Sequence, residues 1–119
     1  IVYFGSLCIF YSKTRYSQHK LQMEELVKKN FPYYTIIRMG NITWGKNPWT
    51  LINYLKNRVR KGKELKIRDT YRYLVNQEEF LHWMEMIPDW NCEMNITGQR
   101  FKVAEIVEKY VYTQKRRKA

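Results

Sequence analysis

The chain has 119 residues, 45% of them hydrophobic and 28% charged, a balance typical of one globular domain. No apolar run approaches the roughly 20 residues of a membrane span, and the opening segment lacks the basic flank of a secretory signal, which argues against membrane-spanning and secreted proteins. The formal net charge of +11 favours contact with polyanions, such as nucleic acids or phosphorylated ligands.

In the first half of the chain, strand-like and helix-like patterns alternate. The segment "IVYFGSLCIF" predicts a buried strand that ends in a turn at Gly5 and Ser6. The spacing of Tyr16, Met23 and Val27 predicts a helix over about residues 12–30. Its charged side chains are expected to face solvent, namely Glu24, Glu25, Lys28 and Lys29. The segment "YYTIIRM" predicts a second buried strand, and "GNITWGKNP" predicts a loop.

The second half continues this alternation. Helical spacing from Leu51 ends near Gly62, and "ELKI" is a candidate short strand. Asn76 precedes an amphipathic helix, "EMNITG" predicts a strand, and a last helix is expected from Val103. We therefore predict one α/β domain over residues 1–119, layered and mainly parallel, with a basic tail at residues 113–119.

The two cysteines, Cys8 and Cys92, have no His or Cys neighbours in sequence, so neither a metal site nor a disulfide framework is predicted. A reducing, cytoplasmic setting is the simplest expectation. The chain opens on Ile1, inside a strand-like run, and we expect it to be truncated.

Three residues near the first strand make a candidate acid–base set. Ser6 lies at the predicted carboxyl end of that strand, where ligands collect in open α/β sheets. Tyr16 and Lys20 follow at i and i+4, on one face of the predicted helix. A nearby ammonium lowers the pKa of a phenol, and a serine hydroxyl can hold the reacting oxygen. Because the chain has ten tyrosines, an ordinary solvated Tyr and Lys pair is the alternative.

An ordered series of segments over about residues 1–110 carries a wider resemblance. The strand before Ser6, the helix "YSQHKLQMEELV", the loop "RMGNITWG" and the segment "RDTYRYLVNQEEF" occur in the expected order. Together they resemble the NAD-dependent epimerase/dehydratase family, a group of extended short-chain dehydrogenases/reductases. Matches to the family's motifs fall on Ser6, Tyr16, Lys20, Arg38, Asn41, Gly45 and Arg72.

The resemblance implies a partial Rossmann-type fold and a reaction that uses NAD or NADP on a nucleotide sugar. Ser6, Tyr16 and Lys20 would be catalytic, and Tyr16, Lys20 and Met39 would lie against the cofactor. Asn41 and Arg72 would bind substrate, Asn41 by a hydrogen bond and Arg72 through a phosphate. The expected partners are a nucleotide sugar or similar small molecule and a second copy of the chain, with no specific nucleic acid and no membrane.

The sequence departs from the family in four places. Met39 stands where proline is usual, "NQEE" replaces a His-Val-Asp-Asp type stretch, and the interval from Ser6 to Tyr16 is short. None of the five glycines forms the Gly-x-x-Gly-x-x-Gly turn that binds the dinucleotide. We therefore expect a C-terminal fragment that lacks the cofactor-binding half and is inactive alone. A small basic nucleic-acid-binding protein and a non-catalytic scaffold remain alternatives.

Overall fold

The computed structural model describes residues 1–112, so the predicted basic tail lies outside the described residues. The chain divides into two compact units. The first contains Ile1–Gly40 and Glu78–Thr97, and the second contains Asn41–Gln77 and the chain from Gly98 onward.

The elements follow one another in this order: β1 (Val2–Ser6), a 3-10 helix (Leu7–Phe10), α1 (Arg15–Asn30), β2 (Thr35–Met39), β3 (Asn41–Ile42), α2 (Leu51–Arg60), β4 (Tyr71–Val75), α3 (Gln77–Glu85), β5 (Cys92–Ile96), β6 (Gln99–Lys102), α4 (Val103–Ile106) and a π-helical segment (Val107–Tyr112).

The first unit is built on a parallel sheet with the strand order β1-β2-β5. The central strand β2 is almost wholly buried, and Ile36 and Ile37 are 0% exposed. The prediction that β1 is a buried strand is wrong, since Val2 and Phe4 are nearly half exposed. Within residues 1–112, β1 pairs only with β2, so one edge of the strand has no backbone partner there.

Helix α1 begins after Thr14, whose hydroxyl accepts a hydrogen bond from the backbone N–H of Ser17 at 3.2 Å. Its apolar stripe buries Val27, and the chain leaves the helix just before Pro32. The expectation that Glu24 faces solvent is wrong, because this side chain is 1% exposed and meets Arg38 of β2.

The second unit pairs β3 with β4 in parallel and β4 with β6 in antiparallel orientation. A cluster of buried side chains forms its core, namely Ile52, Leu55, Leu74, Val103, Ile106, Val107 and Val111. Gly98 precedes β6 with φ +66°, and a Cβ atom there would lie 1.9 Å from the carbonyl oxygen of Leu74. Only glycine therefore fits this approach of the backbone to β4.

The sequence located most elements and missed some. The segment "ELKI" is irregular rather than a strand, and the predicted loop after β2 contains the short strand β3. Strands β4 and β6 were not predicted. In the part of the chain that the structure describes, no helix is both long and apolar enough to cross a membrane.

Candidate active site

The carboxyl edge of the first unit's sheet brings two of the candidate residues together. Ser6 ends β1 and Met39 ends β2, and the parallel register makes them direct partners. Ile96 ends β5 opposite Met39, so the three strands terminate at one level. This is the edge at which open α/β sheets hold their ligands.

Ser6 also begins the short 3-10 helix that leaves the sheet. Its Oγ accepts a hydrogen bond from the backbone N–H of Cys8 at 3.2 Å. This bond fixes the hydroxyl at the strand end and leaves its proton available to donate to another group. The Cys8 side chain is half-buried, with a free thiol.

Tyr16 and Lys20 lie on one face of α1, one turn apart. The Lys20 Nζ atom is 5.7 Å from the centroid of the Tyr16 ring and 5.5 Å from that of Tyr3 in β1. It also donates a long hydrogen bond of 3.5 Å to the carbonyl oxygen of Phe4. The ammonium group therefore lies between α1 and the strand that ends in Ser6, beside two phenol rings.

Burial, and then electrostatic repulsion from the neighbouring Cys8, raise the pKa of Tyr16 above its ordinary value of 10.0. The pKa of Tyr3 is raised as well, first by burial and then by the negative charges of Glu24 and Tyr16. The sequence argument required the opposite direction for Tyr16. In this structure Tyr16 is held as a neutral phenol at physiological pH, which is the form that donates a proton.

A cluster of charged side chains lies next to this face. The single Nε–H of Arg38 in β2 is shared between the two carboxylate oxygens of Glu24, at 2.9 and 3.1 Å, and Nη2 donates to the same carboxylate at 2.6 Å. Arg38 also bonds Glu93 and donates to Asn95 at 3.2 Å, both in β5. The pKa of Arg38 is raised above its ordinary value, chiefly by its hydrogen bonding to Glu24. Arg38 therefore fixes neighbouring elements to one another.

Glu93 has a second cation beside it. Lys28 of α1 lies 3.1 Å from its carboxylate. Burial opposes ionisation of Glu93, but the hydrogen bonds from Arg38 and Lys28 outweigh it and lower its pKa. These contacts join α1 to β5.

The two predicted substrate residues belong to the second unit. The Asn41 side chain donates to the carbonyl oxygen of Tyr73 at 3.2 Å, which ties β3 to β4. Arg72 is half-buried in β4, and its Nη1 atom lies 3.5 Å from the carbonyl oxygen of Tyr71. That Asn41 and Arg72 line one cleft with Tyr16 stays a prediction.

Sequence reasoning missed Tyr3, Cys8 and the Glu24–Arg38 pair. One signal for the pair was present, since an arginine in the middle of the apolar strand "TIIRM" needs a buried partner. Tyr3 and Cys8 carried no such signal, because their importance depends on where α1 packs.

A ligand at this edge would meet both polar and apolar side chains. Lys20 carries three N–H donors and has one long contact to a carbonyl, and Met39 offers a half-buried apolar side chain beside Ser6. The glycine turn for the pyrophosphate does not occur in the 119 residues. Within residues 1–112, no three His, Cys, Asp or Glu side chains are grouped to hold a metal ion.

No protein-family model matches the chain, and no curated protein matches it significantly. Solved structures do match. MoeE5, solved with UDP-glucuronic acid and NAD, has a TM-score of 0.75 over 96% of this chain, at 15% identity. The dTDP-glucose 4,6-dehydratase of Bacillus anthracis, solved with NAD, has a TM-score of 0.71 over 96% of this chain, at 16% identity.

A third match is UDP-glucuronic acid 4-epimerase from Bacillus cereus, with a TM-score of 0.69 over 90% of this chain, at 16% identity. The chain spans 48%, 45% and 43% of the lengths of these three proteins, in the order given. At such identities the likeness establishes the fold. The chain therefore has the partial Rossmann-type α/β fold, with mainly parallel strands, that its sequence predicted.

Proposed function

We propose that this chain supplies the acid–base residues of an NAD(P)-dependent enzyme that acts on a nucleotide sugar as an epimerase, dehydratase or reductase. One observation carries the proposal. Ser6 and Met39 end adjacent parallel strands, and the Tyr16–Lys20 face of α1 adjoins the same strand β1 through Lys20 and Phe4. A proton donor, a hydroxyl and a cation thus adjoin one sheet edge.

In this proposal Tyr16 exchanges a proton with the substrate oxygen at the carbon that is oxidised or reduced. At neutral pH Tyr16 is protonated, which is the form that donates a proton, although its raised pKa also makes it a weaker acid. In the other direction a phenolate must form, and the Lys20 ammonium favours it. Ser6 donates a hydrogen bond from its hydroxyl to the same substrate oxygen and keeps its proton. NAD or NADP, when bound, supplies or accepts the hydride.

Arg72 and Asn41 are proposed to hold the substrate. A guanidinium group binds a phosphate with two parallel hydrogen bonds, which suits the pyrophosphate of a nucleotide sugar. The choice of substrate class is supported by fold neighbours solved with UDP-glucuronic acid or named for dTDP-glucose.

The test uses the longest natural polypeptide that contains this sequence. It is incubated with UDP- and dTDP-sugars and with NAD or NADP, and the products are separated by chromatography. Tyr16→Phe should lower the rate by about 10²- to 10⁴-fold, the usual contribution of one general acid or base. The matched control is Tyr33→Phe, since Tyr33 is 77% exposed and far along the chain from α1's start. Full activity in Tyr16→Phe would overturn the proposed role.

Substrate binding is tested separately. Arg72→Ala should weaken binding of the nucleotide sugar more than binding of NAD in the same polypeptide, because only the substrate phosphate loses its partner. Arg60→Ala removes the same charge from an exposed position of α2 and is the control. Equal loss of both affinities in Arg72→Ala would contradict the assignment.

A further inference from the structure

Arg38 is a charged residue within a buried strand, and its side chain joins several parts of the first unit. It lies in β2 directly after Ile36 and Ile37, and its side chain is 9% exposed. Its guanidinium contacts Glu24 of α1 and Glu93 of β5, and it lies 5.3 Å from the ring of Phe10 in the 3-10 helix. One side chain of the central strand thus contacts α1, β5 and the segment that follows Ser6.

Glu24 extends the line of the candidate catalytic residues along α1. It follows Lys20 by four positions and Tyr16 by eight, and steps of four residues turn only about 40° around a helix. The three side chains therefore form one slowly winding stripe along α1, which is buried against the sheet at Glu24 and exposed at Tyr16. Whatever fixes Glu24 also fixes the rotation and height of the helix that carries Tyr16 and Lys20.

Gly5 makes room for this pair beside Ser6. Gly5 is the register partner of Arg38, and a Cβ atom at this position would lie 3.1 Å from Oε2 of Glu24 and 3.6 Å from Cγ of Arg38. A larger side chain would push the carboxylate away from the sheet. The residue before Ser6 is thus adapted to the ion pair.

A buried ion pair is a weak source of stability, since apolar residues of similar volume often stabilise a protein as well or better. Its fork of parallel hydrogen bonds, however, fixes geometry in a way that apolar contacts do not. The pair is therefore better suited to setting the position of α1 than to holding the unit together.

We propose that Arg38 and Glu24 are positioning residues that set α1 on the sheet, so that the Tyr16–Lys20 face lies against the strand that ends in Ser6. The effect of this positioning on catalysis rests on the proposed function. The effect on the position of α1 concerns the fold of this chain alone. Neither residue is proposed to touch substrate.

The experiment measures nuclear Overhauser effects in the 119-residue chain with labelled tyrosine and lysine. The contact between Lys20 and the Tyr3 ring reports the position of α1 on β1, and the contact between Lys20 and the Tyr16 ring lies within the helix. In Glu24→Gln we expect the first contact to weaken or disappear and the second to remain. Glu25→Gln, the same change at the neighbouring exposed position, should preserve both.

A second variant covers the case in which Glu24→Gln does not fold. The double variant Glu24→Leu/Arg38→Met replaces the pair by apolar side chains of comparable length, which are often tolerated. We expect it to fold and to lose the contact between Lys20 and Tyr3. A folded double variant that keeps this contact would overturn the inference.

The catalytic consequence is read in the longer polypeptide of the proposed assay. There the double variant should lower kcat by on the order of 10²-fold with little change in KM, as expected for catalytic groups displaced by about 1 Å. Unchanged kcat together with the lost contact would overturn the catalytic part of the inference. If the parent polypeptide shows no activity, the proposed function fails, and the contacts in the 119-residue chain still decide the positional part.

Discussion

At the scale of single residues, Cys8 is the second cause, after burial, of the raised pKa of Tyr16. We expect Cys8→Ser to lower the pKa of Tyr16 toward its ordinary value, because the variant removes the electrostatic effect of Cys8 on the phenolate. Burial remains in the variant, so the pKa should stay above the ordinary value. The measurement is a titration of ring-labelled tyrosine by carbon NMR, with the Tyr16 signal assigned from Tyr16→Phe.

Cys92→Ser is the control for this prediction, since it removes the chain's other thiol from β5. It should leave the Tyr16 titration unchanged. The raised pKa of Tyr16 also makes the stability of the fold depend on pH. A phenol whose folded pKa is raised stabilises the fold below its unfolded pKa near 10, and this contribution is lost as pH rises through the folded value. An equal shift in both variants would contradict a local effect of Cys8.

Gly98 and Gly62 form a matched pair of positions at which the cost of adding a side chain can be compared. Both have positive φ, +66° and +71°, but an added Cβ atom meets the Leu74 carbonyl only at Gly98. We expect Gly62→Ala to cost about 1–2 kcal/mol, the usual cost of left-handed backbone for an L-residue. Gly98→Ala should cost clearly more, because β6 must also move away from β4. Urea unfolding of the two variants tests this, and equal losses would contradict the role of Gly98.

At the scale of elements, the start of α1 positions the candidate acid. Thr14, two residues before Tyr16, caps the helix by accepting a hydrogen bond from the backbone N–H of Ser17, one residue after Tyr16. Thr14→Ala should destabilise the protein by about 1 kcal/mol, the typical value for a lost N-cap. Thr50→Ala is the comparison, since Thr50 precedes α2 without a side-chain cap hydrogen bond. Urea denaturation should show the smaller loss for Thr50→Ala, and the reverse order would count against the cap.

The elements that the sequence predicted correctly are those in which the apolar residues are also the buried ones. The strand "TIIRM" and the amphipathic residues of α2 are examples. Strand β4 was missed because "YRYLV" mixes charged and aromatic side chains, and β6 because "QRFK" is mostly polar. A sequence pattern also assigns charged helix residues to solvent. The burial of Glu24 could therefore be predicted only by knowing that α1 brings it to Arg38 of β2.

The candidate site was predictable only in part, for the same reason. The i, i+4 spacing was enough to put Tyr16 and Lys20 on one face, and the strand end was enough to place Ser6 at the sheet edge. The raised pKa of Tyr16 was not predictable, because it depends on burial and on Cys8. The roles of all six candidate residues stay predictions until the assays above are made.

At the scale of the whole molecule, we predict that the 119-residue chain alone does not bind NAD or NADP. The sequence has no Gly-x-x-Gly-x-x-Gly turn whose backbone N–H groups could hold the pyrophosphate. Isothermal titration of the purified chain with each dinucleotide should give no measurable heat of binding. Micromolar affinity would show that the dinucleotide site lies within these residues.

The division into two units makes the order of synthesis matter. The first unit is not a continuous segment: β2 must wait for β5, whose residues pair with it 57 positions later in the chain. On a translating ribosome, β1, α1 and β2 therefore leave the exit tunnel before β5, with one edge of β2 unpaired. A polypeptide that ends before β5 would keep that edge of β2 open, and an open strand edge is a template for pairing with another chain.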